Sequence, residues 1–525
     1  MKKLLLITLI ATFFNVEANA QSYINNWLAQ QGTGGFLTTT NMCTDNAGNI
    51  YKVGHFQLSP DFDPGSGTNN ITSNGANDIF IQKLDPSGNV IWVKTVGGTG
   101  VDFGKDIAVD VLGNVYIVGD FNGTVDFDPS NSTVNKVSFG GEDAFVLKLN
   151  SLGDYQWVKT AGGTGSDIAE SISLDNSANI YVAGSYEISA SFDLLASGSN
   201  LTSNGQNDAF VWKLSGTGNF TWVKTIGGPS FDFGYEIEVD GVGNSYIGGK
   251  AKSGIDFDPG ASVFAGVNNG GYDAYVVSLD ASGNFQWANT FGGSGEDKVL
   301  EITLSTTNGV YVSGSFNATV DFDPNGSGLS ISALTSHELF IQNLDVTGSF
   351  NWAKAFAGCF SLSHSYLKEA STTNLIFSGA FSGTANFDPN GGTQLITSAG
   401  STDIFFEEID ASGNYVDVFT MGGSSGDKGV SLVLDNSDAV IITGSASSNF
   451  DFNPNGDPLT PGFKTDYTAK YILCSTSAST DVQIACSTFD WIDGNTYTSS
   501  NNTVTHTLTN ANGCDSIITL DLTVN

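Results

Sequence analysis

The stretch DFGKDIAVDVLGNVYIVGDFNGTVDFDPSNSTVNKVSFGGEDAFVLKLNSLGDYQWVKT, residues 102–160, decides the fold. Within it, 106–110 (DIAVD) alternates apolar and polar residues and reads as a strand. After a Val-Leu-Gly turn, 114–121 (NVYIVGDF) reads as a second strand. Residues 123–142 form a long polar loop with room for a little strand of its own. Residues 143–150 (DAFVLKLN) are a third strand, 151–154 a turn, and 155–160 (YQWVKT) a fourth. Gly-rich 161–167 leads into the next unit. Four short antiparallel strands with no helical period are the make-up of a propeller blade.

The unit repeats every 65 residues. Trp27, Trp92, Trp157, Trp222, Trp287 and Trp352 keep that spacing, with Asp417 next in phase. So do Phe62, Phe127, Phe192, Phe257, Phe322, Phe387 and Phe452, and so do Gly54, Gly119, Gly184, Gly249, Gly314, Gly379 and Gly444. Three series with one period count seven units. An open solenoid is the competing architecture, and the ends decide against it. The last unit stops after its third strand, 468–473, whereas the chain opens on a lone fourth strand, 23–30. A ring closes if that strand completes the last blade and leaves no open edge. The expected fold is therefore all-β: a seven-bladed propeller over 21–473, a linker at 474–484 and a small β module at 485–525.

The pattern D-x-x-GN-x-Y-x-x-G-x-F, then DFDP, then DAF-x-x-KLD-x-x-G-x-x-x-W-x-K-T-x-GG-x-G-x-D, resembles the bacterial secreted β-propeller repeat family abbreviated SBBP. The resemblance covers roughly 23–473, weakens in unit six, and implies a propeller and export without a shared reaction. Residues 485–525 resemble small Cys-flanked β modules of secreted bacterial surface proteins.

The first residues fit export independently. Lys2 and Lys3 precede an apolar run, 4–14, and Ala18-Asn19-Ala20 supplies a small-x-small cleavage pattern, so 1–20 read as a signal peptide. No later stretch is apolar and long enough for a transmembrane helix. The expected location is extracellular, at the cell surface or in the periplasm.

The chain carries 54 acidic residues against 19 basic ones, every one of the latter a lysine, for a net charge of −35. Nucleic acid is excluded as a partner, because phosphate neutralisation needs a basic surface. Without arginine, bidentate clamps on carboxylate or phosphate substrates are excluded too. Of the five cysteines, Cys486 and Cys514 lie in one short segment and are the expected disulfide; Cys43, Cys359 and Cys474 are scattered.

The candidate ligand-binding motif is Asp-Phe-Asp-Pro. It supplies Asp61, Asp63, Asp126, Asp128, Asp256, Asp258, Asp321 and Asp323, and degenerates in the other units. Paired carboxylates followed by Gly or Asn can present hard oxygens to Ca²⁺. The competing reading is a turn, with Asp accepting backbone N–H bonds, Pro fixing φ and Phe plugging the blade. It is favoured because no EF-hand-like spacing is present. A second acidic series, Asp102, Asp167, Asp232, Asp297 and Asp427, is broken by Leu37 and Leu362 and reads as serving each blade. The Trp series reads as packing between blades, and the Gly series as a bulge or close crossing. The turn 85–92 resembles the Asp-box of sialidases, itself a structural turn, so it argues for no glycosidase. In unit six His337, Glu338, Cys359, His364 and Asp417 depart from the repeat, which drift explains more simply than acid–base chemistry. No catalytic residue is assigned.

The function expected is non-catalytic binding or surface interaction with an extracellular glycan, a protein or calcium. A polysaccharide hydrolase or lyase is the alternative, and needs two carboxylates facing each other across the channel with separated pKa values. A structural part of a surface layer is a third reading.

Overall fold

The computed structural model describes residues 22–193, 199–266, 268–305, 307, 309–324, 326, 328–360, 366–446, 450–452, 466–474, 477–509 and 515–525. Residues 1–20, expected as a signal peptide, lie outside them. All regular structure among the described residues is β, and no helix there is long and apolar enough to cross a membrane. The chain divides into two compact units, 25–472 and a second made of 1–24 with 473–525.

In the larger unit, the described strands pair into successive groups of four along the chain. The second is typical: Asp102–Val109, Val115–Phe121, Asp143–Leu149 and Tyr155–Gly163, paired in chain order. The last group takes Lys428–Leu434, Val440–Ser445 and Asp466–Cys474, and its fourth place is filled by the N-terminal strand Ser22–Gln31. The first strands of successive groups pack against one another in order, and that of the last group packs against that of the first. The sheets meet by packing, with only short outer ladders such as Gly162↔Ser191 and Gly97↔Asp126 joining them. The core lies between neighbouring blades: Val53, Ile79 and Ile81 of one meet Ile117, Phe145 and Leu147 of the next.

Each repeated residue has a mechanical job. Gly119 faces a β-bulge between Gly104 and Asp106. A Cβ there would lie 1.9 Å from the Phe103 carbonyl oxygen, and equivalent positions such as Gly54, Gly184 and Gly444 meet the same obstacle at 2.0 Å. Only glycine fits the bulge. Trp27, Trp92, Trp222, Trp287 and Trp352 donate their indole N–H to the carbonyls of Pro86, Ser151, Ala281, Val346 and Ala411, 59 residues on, at 3.0–3.3 Å. Each therefore caps the turn between third and fourth strands of the next blade. The glycine of that turn, such as Gly88 with φ 83°, lies under the ring: a Cβ there would be 2.8 Å from Trp27. This explains Asp417. The seventh group takes its fourth strand from the N-terminus and has no such turn to cap.

The seam where the ends meet carries a substitution of its own. Lys52 Nζ lies 2.6 Å from Asp466 Oδ2, with side chains 1% and 2% exposed. The other Asp466 oxygen accepts Thr39 N–H at 3.2 Å and Thr39 Oγ1–H at 2.8 Å. In the other blades the residue in phase with Lys52 is Ile117, Val182, Ile247, Val312, Phe377 or Ile442.

The smaller unit differs from the expected division. Residues 474–484 were expected as a linker, but Ser477–Ala485 is a strand paired in parallel with Asp515–Val524, which also pairs with Thr505–Thr509. A polar segment pairs here through its backbone while Trp491, Leu520 and Leu522 supply the core.

Candidate functional site

The central channel is lined by the first strand of each blade, and one register position supplies its middle layer: Asn41, Asp106, Ser171, Glu236, Glu301, Tyr366 and Ser431, each 65 residues after the last. They sit beside the bulge, which turns them inward. Contacts run from one to the next. Ser431 Oγ donates to Asn41 Oδ1 at 2.8 Å, Asn41 Nδ2 to Asp106 Oδ1 at 2.6 Å, and Ser171 Oγ to Asp106 Oδ2 at 3.1 Å. Two residues along the chain, a neighbouring layer brings Ser173 Oγ to Glu238 Oε2 at 3.0 Å and Lys368 Nζ to Glu301 Oε1 at 2.5 Å. The cavity on that side measures about 530 Å³ and is also lined by Cys43, Thr303 and Glu369. A second cavity of about 280 Å³ shares Asn41, Asp106, Glu236, Glu301 and Tyr366, and adds Lys105, Glu170, Tyr235 and Lys298.

The channel holds more acid than base, and its titration behaviour follows. Burial raises the Glu236 carboxyl well above its usual range, and the charges of Glu301 and Asp106 add to it. Burial brings Glu301 up to about 7 despite the Lys368 ammonium, and raises Asp106 and Glu238 as well. Burial alone would lower Lys368, but Glu301, Glu238 and Glu236 outweigh it and raise the ammonium. The arrangement suits cationic or hydroxyl-rich ligands, with burial favouring the protonated, hydrogen-bond-donating form of Glu236.

The residues singled out from sequence lie elsewhere. In the Asp-Phe-Asp-Pro loops, Asp61 Oδ1 accepts the N–H groups of Asp63 and Asn69, and Asp63 Oδ1 that of Gly65. Asp126, Asp256 and Asp321 likewise each accept two backbone N–H groups, and Asp128 and Asp258 one each. Asp323 Oδ2 crowds Gly326, where a Cβ would come within 2.2 Å. The intervening Phe62, Phe127, Phe257 and Phe322 are fully buried. The backbone of the first Asp also pairs with the outer strand of the preceding blade, as in Gly227↔Asp256 and Gly292↔Asp321, so the motif clasps neighbouring blades. No group of three or more His, Cys, Asp or Glu arranged to hold a metal occurs among the described residues. Cys486 is exposed, and Cys514 lies outside the described residues.

The second acidic series pins loops. Asp102 Oδ2 accepts Gly98 N–H at 2.8 Å and Asp102 Oδ1 accepts Asn122 N–H at 3.1 Å, with Asp167, Asp232 and Asp297 repeating the pair. A third series, unnoticed in sequence, accompanies it: Asp78, Asp143, Asp208, Asp273 and Asp403, each taking an N–H four residues back. Two departures answer each other across adjoining units. In unit six Leu362 replaces the Asp102-type residue, and in unit five Glu338 replaces the Asp78-type. The longer Glu338 accepts Leu334 N–H at 3.0 Å and also Gly358 N–H at 3.4 Å, the bond the missing aspartate would take. Cys359 is buried behind it, His337 is exposed, and His364 lies outside the described residues. Burial raises the half-buried Asp417 to about 6. Among the described residues, no acid–base pair is brought together from this set.

Sequence reading missed the channel layers because it searched for identical residues in phase. The same 65-residue comb, scored for polar residues inside the first strand, finds them at position 41 and its successors.

Residues 91–125 match the family model described as SBBP, the β-propeller repeat. An uncharacterised WD repeat-containing protein of Acanthamoeba polyphaga mimivirus is 24% identical over 82% of this chain and 37% of its own length. The regulatory protein FlaEY of Caulobacter vibrioides is 25% identical over 42% of this chain and 22% of its own. The chain thus spans well under half the length of these curated relatives. Among solved structures, the Neurospora crassa Pan2 WD40 domain aligns with 82% of this chain and 88% of its own at 10% identity and a TM-score of 0.39. A quinohemoprotein alcohol dehydrogenase of Comamonas testosteroni aligns with 86% and 79% at 10% identity and a TM-score of 0.38.

Proposed function

We propose that this β-propeller repeat protein is an exported, non-catalytic binding protein that takes its ligand at the asymmetric mouth of the central channel. The observation that carries the reading is a division of labour. Residues repeated once per blade are consumed by bulges, caps and turns, whereas the channel position occupied by Asn41, Asp106, Ser171, Glu236, Glu301, Tyr366 and Ser431 holds five different side chains. A ligand without sevenfold symmetry needs a wall without it. Export is supported by the composition, by Ala18-Asn19-Ala20 and by the repeat family.

The test is a pull-down with full chain starting at Gln21, against extracellular polysaccharides and surface proteins, comparing wild type with Glu301→Gln and Lys368→Met. Capture weakened by these variants is expected. Capture that ignores both, or no capture at all, overturns the reading.

One observation favours a hydrolase or lyase as a second reading. Glu236 and Glu301 share the channel, both carboxyls raised by burial and Glu236 raised further by the Glu301 charge, which places two interacting carboxyls of the kind acid–base catalysis uses in one cavity. Release of reducing or unsaturated ends from a bound polysaccharide, abolished by Glu236→Gln, would establish it in place of simple binding.

A further inference from the structure

Unit four carries a cluster that no other blade repeats. Phe231, Phe233 and Tyr235 alternate at the start of a first strand, Phe233–Val239, while Asp232 between them turns inward and is fully buried. The three rings are parallel within 4°, with centroids 6.3 and 5.8 Å apart. Tyr272 joins them, its centroid 6.4 Å from Phe233. All four rings are half-buried, and Tyr235 also lines the 280 Å³ cavity of the channel. In phase with Tyr235 the other described blades carry Thr40, Lys105, Glu170, Leu300 and Val430, so the row is no requirement of the fold.

Lysines gather on the same rings. Lys250 Nζ lies 4.5 Å from the Tyr272 centroid, 5.2 Å from Phe233 and 5.8 Å from Tyr235, and Lys252 Nζ lies 4.5 Å from Tyr272. Lys250 pairs with Glu296 at 2.9 Å, whereas Lys252 and Lys298 make no ion pair among the described residues. Burial lowers the Lys298 ammonium and the nearby Lys250 charge lowers it further, while the Glu296 charge works the other way. Lys250, Lys252 and Lys298 put positive charge beside these rings on a chain of net charge −35, with Glu296, Glu170 and the buried Asp232 the acids that act on the same rings.

Resting on the binding-protein reading above, we propose that this aromatic–lysine cluster is a binding site for an anionic polysaccharide. Sugar rings stack on Phe231, Phe233, Tyr235 and Tyr272, and their acid groups pair with Lys250 and Lys252. Stacking selects the flat, C–H-rich face of a pyranose. The lysines select charge without fixed geometry, as ammonium groups do. Neutral glycans lose the second contribution, and free small anions lose the first.

Affinity electrophoresis of the full mature chain in gels holding polygalacturonate, dextran sulfate or neutral dextran tests this. Retardation by one or both anionic polymers is expected, with dextran at least tenfold weaker and the effect reduced by 0.5 M NaCl as screening requires, roughly a 4 Å Debye length. Lys252→Met, at the surface, reduces retardation at least fivefold, and Phe233→Ala at least tenfold while its thermal unfolding shows that it still folds. Equal retardation in dextran, none in any gel, or full retardation of Lys252→Met overturns the proposal. Capture of a protein partner alongside blank gels leaves the binding function standing and removes only the polysaccharide.

Discussion

Breaking the seam ion pair tests how the ring holds its ends together. In Lys52→Met the carboxylate of Asp466 keeps the Thr39 N–H and hydroxyl but loses the Lys52 ammonium, at a site where the two side chains are 1% and 2% exposed. Removing one partner of a buried pair costs about 3–5 kcal/mol, mostly the penalty of the charge left behind. The double variant Lys52→Met/Asp466→Leu removes that charge and restores the aliphatic character of the other blades. What remains is an unpaired Thr39 N–H, worth about 1–3 kcal/mol. Guanidinium unfolding followed by tryptophan fluorescence reads the difference, because Trp27 sits on the N-terminal strand that completes the last blade. The expected order of midpoints is wild type, then the double variant, then Lys52→Met. A Lys52→Met midpoint equal to that of wild type, or a double variant less stable than the single, would refute the reasoning.

Stability should fall from pH 5 to pH 8. Burial pushes Asp120, Asp143 and Asp167 up to about 7 and Asp102, Asp208, Asp232, Asp273 and Asp297 to about 6. A carboxyl raised on folding stabilises fully below its unfolded value of about 3.9 and loses that contribution as pH rises through the folded one; a melting temperature that climbs over this range contradicts the assignment. Glu407→Gln should stabilise the chain by about 1–3 kcal/mol at pH 8 and little at pH 4. Glu407 is fully buried with both oxygens unpartnered and its carboxyl raised by burial, and the in-phase Gln82 and Gln342 donate to the Phe62 and Phe322 carbonyls. A pH-independent effect in thermal melts would count against a protonated Glu407. Gly119→Ala should cost about 3 kcal/mol or more, since its Cβ meets a backbone carbonyl at 1.9 Å; a melting temperature within a degree of wild type would show that the bulge relaxes. Millimolar Ca²⁺ and EDTA should leave the melting temperature alone, because the Asp-Phe-Asp-Pro carboxylates are engaged in turns. A calcium-dependent rise would make Asp61, Asp126 and their repeats ligands after all.

What was legible in the sequence is what every blade needs. Trp92 must cap a turn, Gly119 must face a bulge and Phe127 must fill an interblade core, so each recurs and can be read by its spacing. The strand Ser477–Ala485 escaped because it pairs through its backbone and leaves Val482 and Ile484 exposed, so no alternating buried face marks it. Lys52 and Asp466 escaped for another reason. They occur once and meet only because the ring brings the ends together. The channel wall is the intermediate case: its position is periodic while its chemistry is not.

Departures from the repeat therefore fall into two kinds, and only one of them points to function. In unit six the loss of an aspartate at Leu362 is answered by Glu338, whose extra methylene lets one carboxylate take the N–H of Leu334 and of Gly358. Such a change closes on itself, since the freed Gly358 N–H finds a new acceptor in the adjoining blade. In unit four nothing inside the blade calls for the row of stacked rings, or for Lys252 beside them without an ion pair among the described residues. The rings leave apolar surface half in water with the Lys252 ammonium beside it, a combination suited to a partner that covers both. Judged by whether a departure is compensated locally, unit six is a repaired blade, and unit four is the side of the channel where a ligand should bind.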